Sequence, residues 1–391
     1  MINMNIFEFS ISAILRRGSK NISVVIILTM LIFLLSSMML ISGSIKQELS
    51  LTYNQLPDIT IQKYIGGRVL NIENSRVDTL LDIDGIKEVT ARVWGYYYFK
   101  NAGVNLSIIG IDPFETQYKQ EIEDIAFINN DLLLKEDKMI IGYGVKKVFD
   151  SNYYNDFFNF ILPDGKFKKV YIGGIFDSSS QIFSNDTILL NQHLAREIFN
   201  ISSDMSSDIT VNITNPSEID TIASKIRYIY PDSRVITKDD IEISNKNIFN
   251  YKSGISLLLF SISLLTFIII VYDKVSTTSY DERVEIGILK AIGWRVEDIL
   301  KEKLYEGVII SIFAFTLGIL SAIIFVYALQ APLLRDIFSG YSKLKPEFDL
   351  IFNFNIETFF IIFFITIPTY LASIIIPSWR IAIEDVDEAL K

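Results

Sequence analysis

Four stretches of the chain contain no Asp, Glu, Lys or Arg: 21–45, 253–272, 307–334 and 358–379. At about 1.5 Å of helical rise per residue, each is long enough to cross a hydrocarbon core of about 30 Å. A core helix of a soluble protein seldom sustains such a length without a charge, so the pattern predicts four transmembrane helices. The first is too long for the apolar core of a secretory signal, which runs to about 7–15 residues, although Ser42-Gly43-Ser44 offers a weak cleavage site. An uncleaved span fits better.

Between the first two spans the period changes. Runs with strand character fall at 58–64, 89–99, 105–111, 157–162, 168–176, 208–214 and 233–237. Pro163-Asp164-Gly165 separates two of them with turn chemistry, which predicts a hairpin. A short helix is expected over 77–81, after Asn74 and Ser75. Another opens at Asn215-Pro216-Ser217-Glu218, with a capping residue, a proline at the first helical position and an acid at the third, and stops at Pro231. Each helix lies between strands, so two strand–helix–strand units stand at opposite ends of this segment and can pair into one α+β layer. Residues 104–200 read as an inserted β-rich lobe, and 241–250 as a helical stalk continuing into the second span. The fold class is thus a membrane protein with four transmembrane α-helices and an α+β extracytoplasmic domain inserted between the first and second spans.

Charge orients the layout. Arg16, Arg17 and Lys20 precede the first span and are opposed only by Glu8. Basic excess beside a span marks the cytoplasmic side. Alternation then gives a cytoplasmic N-terminal segment 1–20, span 21–45, an outer domain 46–252, span 253–272 and a cytoplasmic loop 273–306. Span 307–334, an outer loop 335–357, span 358–379 and a cytoplasmic tail 380–391 follow. This describes a multi-pass inner-membrane protein with both termini in the cytoplasm. Phe7, Ile11, Ile14 and Leu15 follow helical spacing, read either as an amphipathic helix on the membrane lipid surface or as the cytoplasmic start of the first span.

Composition narrows the function. The chain has 391 residues, a mean hydropathy of +0.34 and a formal net charge of -10, with nothing that suggests nucleic-acid binding. With no cysteine and a single histidine, His193, thiolate chemistry is excluded, and histidine-clustered metal sites and a His-based triad are not expected. His193 is expected on a solvated helix face. No G-x-x-x-x-G-K-[ST] loop occurs, since Phe167 follows Gly165-Lys166. The chain is expected to bind no cofactor or metal and to be no enzyme itself. Glu306, a carboxylate at the start of an apolar run, is either a boundary residue near the headgroups or a group facing protein or water.

The most informative residues follow the second span: Tyr280-Asp281-Glu282-Arg283-Val284-Glu285-Ile286-Gly287-Ile288-Leu289-Lys290-Ala291-Ile292-Gly293-Trp294. On periodicity alone this is a short helix with Ile286, Leu289 and Ile292 on one side, either packed on the chain's own spans or offered to a partner. The run resembles the ER-x-EIG-x-L-[RK]-A-[IL]-G signature of the MacB/FtsX-like ABC-transporter permeases, with every letter present. The C-terminal stretch from Pro377 to Leu390 resembles the closing pattern of that family, departing at Ile381 and Val386. Asp84-Gly85-Ile86 and Ile109-Gly110-Ile111-Asp112 are similar to turns and strands of its periplasmic core domain.

The resemblance implies that Glu282, Arg283, Glu285, Ile286, Gly287, Leu289, Lys290, Ile292 and Gly293 form a coupling helix that enters a groove in a separate ABC ATPase, which uses the ATP. It implies a second permease, as a homo- or heterodimer, and mechanotransmission to the outer domain for export or extraction of a lipoprotein, peptide or lipid, with an extracytoplasmic adaptor or cargo protein. The alternative it allows is an FtsX-like signalling subunit that activates an outer partner such as a cell-wall hydrolase.

Overall fold

The computed structural model describes residues 6–54, 56–111, 137–176, 184–244, 280–335, 349–353 and 355–383, with 346 and isolated positions within 258–269. The chain divides into two compact units. One contains residues 1–45, 250–339 and 350–391, and the other residues 46–249 and 340–349.

The first unit is helical. Helix α1 (Ile6–Arg16) turns at Arg17 into α2 (Gly18–Asn54). The remaining described helices are α7 (Tyr280–Ala291), α8 (Val296–Ile323, followed by a wider turn at Ile324–Ala328) and α9 (Ile356–Ile383). Among the described residues, three segments are long and apolar enough to cross a membrane: Asn21–Leu51, Val296–Ala328 and Ile356–Ile383. Most of the expected second span, most of the stalk and the tail beyond 383 lie outside the described residues.

Helix α8 begins 11 residues before the apolar run expected to start at 307. Its first three turns carry charge, so hydropathy alone placed the start too late. Leu31, Leu35, Ile310, Ala314 and Ile362 form the buried heart of this unit. Gly307 and Gly318 permit close approach. A Cβ at Gly318 would lie 2.8 Å from Ile32 and 3.1 Å from the Thr29 carbonyl, and one at Gly307 would lie 2.9 Å from Leu371. Small residues at helix crossings are how apolar helices gain contact where lipid is as apolar as leucine. Hydroxyls along α9 fold back onto the helix, as Thr366 donates to the Ile362 carbonyl at 2.7 Å and Thr369 to Ile365 at 2.6 Å. That keeps their polar atoms satisfied in apolar surroundings.

The second unit is built on a 10-stranded sheet. Its strands are β1 (Ile59–Ile65), β2 (Arg68–Leu70), β4 (Ile86–Phe99), β5 (Val104–Ile111), β6 (Lys138–Gly142), β7 (Phe157–Ile161), β8 (Phe167–Phe176), β9 (Thr187–Asn191), β11 (Asp208–Ile213) and β12 (Ser233–Thr237). A separate ribbon pairs β3 (Ile72–Glu73) with β10 (Met205–Ser206). The order is β12-β1-β11-β4-β5-β9-β6-β8-β7, with β2 on β1. Strands β1 and β4 flank α3 (Arg76–Leu81), while β11 and β12 flank α6 (Ile219–Ile229), which a single turn at Pro216–Glu218 introduces. The two strand–helix–strand units interleave, because β1 pairs with both β11 and β12 and β11 pairs with β4. Leu80, Ile222 and Ile226 pack onto Ile59, Ile61, Ile209 and Val211 in one core.

The lobe from β5 to β10 carries a second core around Phe149, Phe158, Phe160, Ile188 and Leu190. The hairpin at Pro163-Asp164-Gly165 forms as expected, with Gly165 at φ +83° and β7 antiparallel to β8. The lobe is less purely β than expected, since α4 (Tyr143–Ser151) and α5 (Gln192–Phe199) cover it. Strands β6 and β9 are short continuous apolar runs buried at the sheet centre, a pattern without alternation to read. His193 is exposed at the start of α5, where Asn191 caps the helix by accepting its backbone N–H at 2.9 Å.

Candidate functional site

Helix α7 ends in a Schellman motif. Gly293 adopts φ +98°, its N–H reaches the Lys290 carbonyl at 3.0 Å, and the Trp294 N–H reaches Leu289 at 3.0 Å. The accompanying apolar contact is present, since Trp294 packs beside the buried Leu289. The next helix follows at once. Asp298 accepts the Arg295 N–H at 3.2 Å, and Glu297 and Asp298 supply the acidic first turn of α8. The Ala291-Ile292-Gly293-Trp294 run is therefore a rigid corner between α7 and α8.

Burial divides the residues of the loop signature. Ile286 and Leu289 are 2% and 6% exposed and pack with Ile299, Ile381 and Ala382, with Phe9, Trp294 and Val296 at the margin. Gly287 is buried as well. The apolar contact expected of Ile286 and Leu289 with another protein is thus met inside the chain. The physical reason is that α9 and α1 bring apolar residues to this face that periodicity along α7 alone does not reveal. Ile381, which departs from the family pattern, is one of them. Facing outward are Arg283, Ile288 and Ile292, the isoleucines 52% and 68% exposed. Lys290 is half-buried and Gly293 exposed. Glu282 lies on the helix, its side chain outside the described residues.

Glu285 accepts two ion pairs, Arg16 at Oε1 and Arg17 at Oε2. Sequence reading used these arginines for orientation and missed this contact. A carboxylate beside an apolar run, with an arginine pair at a helix end elsewhere, is a signal without an address until the chain folds.

Below this corner, α8 buries Glu302, Lys303 and Glu306 together. The Lys303 ammonium lies 3.2 Å from Glu302 and 2.9 Å from Glu306, and Ser10 donates to the Glu302 carbonyl at 3.2 Å. Glu306 therefore faces protein. A buried, mutually paired triad is weak evidence of stability, and its removal one group at a time is costly.

In the other unit, a groove of about 680 Å³ beside α6 is lined by Ile83, Thr221, Ser224 and Tyr228 with Asp220 and Lys225.

Three long apolar helices with a short helix locked at their base define a membrane protein. Residues 254–386, about a third of the chain, match the family described as FtsX-like permease C-terminal. Two solved structures are similar to it in part. The periplasmic region of MacB from Actinobacillus actinomycetemcomitans is 16% identical, with 48% of this chain and 92% of that one covered, at a TM-score of 0.31. The extracellular domain of the noncanonic ABC-type transporter YknZ from Gram-positive bacteria is 14% identical, covering 46% and 100%, at a TM-score of 0.30. No curated protein matches the sequence.

Proposed function

We propose that this chain is the permease subunit of an ABC transporter, paired with a second permease, and that it couples ATP hydrolysis by a separate ATPase to movement of its 46–252 domain. The work done is export or extraction of an extracytoplasmic substrate such as a lipoprotein, peptide or lipid. The observation that carries the reading is the division of α7. One face is locked into the chain's own core through Ile286 and Leu289, and the other leaves Ile288 and Ile292 in solvent. Exposed isoleucines on a short anchored helix are suited to a groove in a partner. The tight corner at Gly293 and the cluster shared with Ile299 give a displacement of α7 a stiff route into α8.

The test contrasts the two faces. Ile288→Asp with Ile292→Asp places charge where the ATPase would bury it, at a cost of several kcal/mol to the complex and little to the permease. The ATPase that co-purifies with the full chain is expected to be lost while membrane insertion and thermal stability stay unchanged. Leu289→Asp is expected instead to destabilise the permease itself. Undiminished co-purification and ATP turnover in the Ile288/Ile292 variant would remove the coupling role.

A further inference from the structure

Helix α7 poses a problem that apolar burial does not solve. It has 12 residues, close to the length of about 12–15 at which isolated helices are marginal. It also carries two adjoining apolar stripes, Ile286 with Leu289 and Ile288 with Ile292. At about 100° per residue, a roll of roughly 100° about the helix axis would exchange Ile288 for Leu289 in the core. The two are isomers, and volume-conserving apolar exchanges of this kind are well tolerated. Something else must decide which stripe faces out.

Glu285 sits at the border between the two stripes, two turns from Ile292 at nearly the same azimuth. Its two oxygens are held separately by Arg16 and Arg17. The Glu285 and Arg17 side chains are only 20% and 15% exposed, so solvent screens that pair poorly, while Arg16, 61% exposed, contributes the more screened of the two contacts. The arginines are themselves fixed. Arg16 closes the last turn of α1, where a cation suits the helix dipole, and Arg17 forms the elbow into α2. Helix α1 is in turn seated by Phe9 against Trp294 at 5.1 Å, by Phe7 edge-on to Tyr305 at 5.8 Å, and by Ser10 on the Glu302 carbonyl.

We propose that the Arg16–Arg17 elbow is a positioning clamp that acts through Glu285 to set the roll of α7, so that Ile288 and Ile292 rather than Ile286 and Leu289 are presented outward. The value of that presentation rests on the coupling reading above, but the clamp itself can be tested without an ATPase. The chain has no cysteine, so single thiols can be introduced as reporters in the full-length protein in mild detergent and timed with a maleimide reagent. Leu289→Cys and Ile286→Cys report the buried stripe and Ile288→Cys the exposed one.

In a Glu285→Gln background the buried reporters are expected to label about tenfold faster and Ile288→Cys severalfold slower, the opposed changes that a roll produces and a general loosening does not. Arg16→Gln with Arg17→Gln should reproduce this, and adding Glu285→Gln to that pair should change it little, because partners in one ion-pair network are not additive. Faster labelling at all three reporters, unchanged labelling, or a triple variant whose effect is the product of the two would each overturn the clamp. ATP turnover by the co-purifying ATPase is followed in the same samples. Opposed labelling with unaltered turnover keeps the clamp and discards the coupling reading.

Discussion

Replacing Arg92 with alanine is expected to loosen the lobe from the rest of the outer sheet. Strand β4 serves two partners in turn, residues 86–92 pairing with β11 and residues 93–99 with β5. At the changeover Asp208 is buried, its side chain 1% exposed, and it accepts Arg92 Nε at 2.8 Å, Arg92 Nη2 at 2.7 Å and Trp94 Nε1 at 2.8 Å. Removing the guanidinium strands a carboxylate in the sheet, a loss of about 3–5 kcal/mol for a buried pair. The indole donor remains and offsets about 1 kcal/mol of it. A net loss of about 2–4 kcal/mol corresponds to opening that is about 30- to 1,000-fold more frequent. Hydrogen exchange on the full chain in detergent should show this at amides of 93–99 and of β11, with α9 unaffected. Arg92→Met combined with Asp208→Asn removes both charges and keeps an acceptor for Trp94, so most of the protection should return. Exchange within about threefold of the parent in the single variant, or a double variant as damaged as the single, would refute the reasoning.

Gly318→Leu should separate α8 from α2, because even a Cβ there meets Ile32 at 2.8 Å, and the detergent-solubilised chain should lose several degrees of thermal stability without losing membrane insertion. Gly293→Ala meets no neighbour but must hold φ +98°, a strain of about 1–2 kcal/mol read as a lower melting temperature. The carboxyls of Asp232, hydrogen-bonded by Arg76, and Glu73, hydrogen-bonded by Lys63, are held below their ordinary values of 3.8 and 4.5. Their contribution is complete above those unfolded values and is lost as pH falls through the lower folded ones, so an acid titration of the outer domain followed by near-ultraviolet dichroism should show the loss, and Asp232→Asn should shrink it.

Period and punctuation were enough for much of this fold. Long charge-free runs mark helices wherever water is absent, because nothing else satisfies the backbone there. The runs at 21–45 and 358–379 lie inside long helices, and that at 307–334 does so as far as Ala328, six residues short of its expected end. Asn215-Pro216 and Pro163-Asp164-Gly165 act through local sterics and hydrogen bonds, so α6 and the β7–β8 hairpin are legible from a handful of adjacent residues. The signature from Glu282 to Gly293 was visible too, and its final glycine carries its reason in the positive φ of the helix stop. Which face of that helix is free was not visible. Ile286, Ile288, Leu289 and Ile292 are chemically alike, and which of them are buried is decided only when Ile381 arrives from the far end of the chain, Phe9 arrives from the near end, and Glu285 meets its arginines. The same holds for Glu285 and for Glu306. A charge in an apolar sequence is ambiguous until its surroundings are in place: Glu306 pairs with Lys303 one turn away on a helix face whose burial only the fold decides, and the pairing of Glu285 with Arg16 across 269 residues is a property of tertiary structure alone.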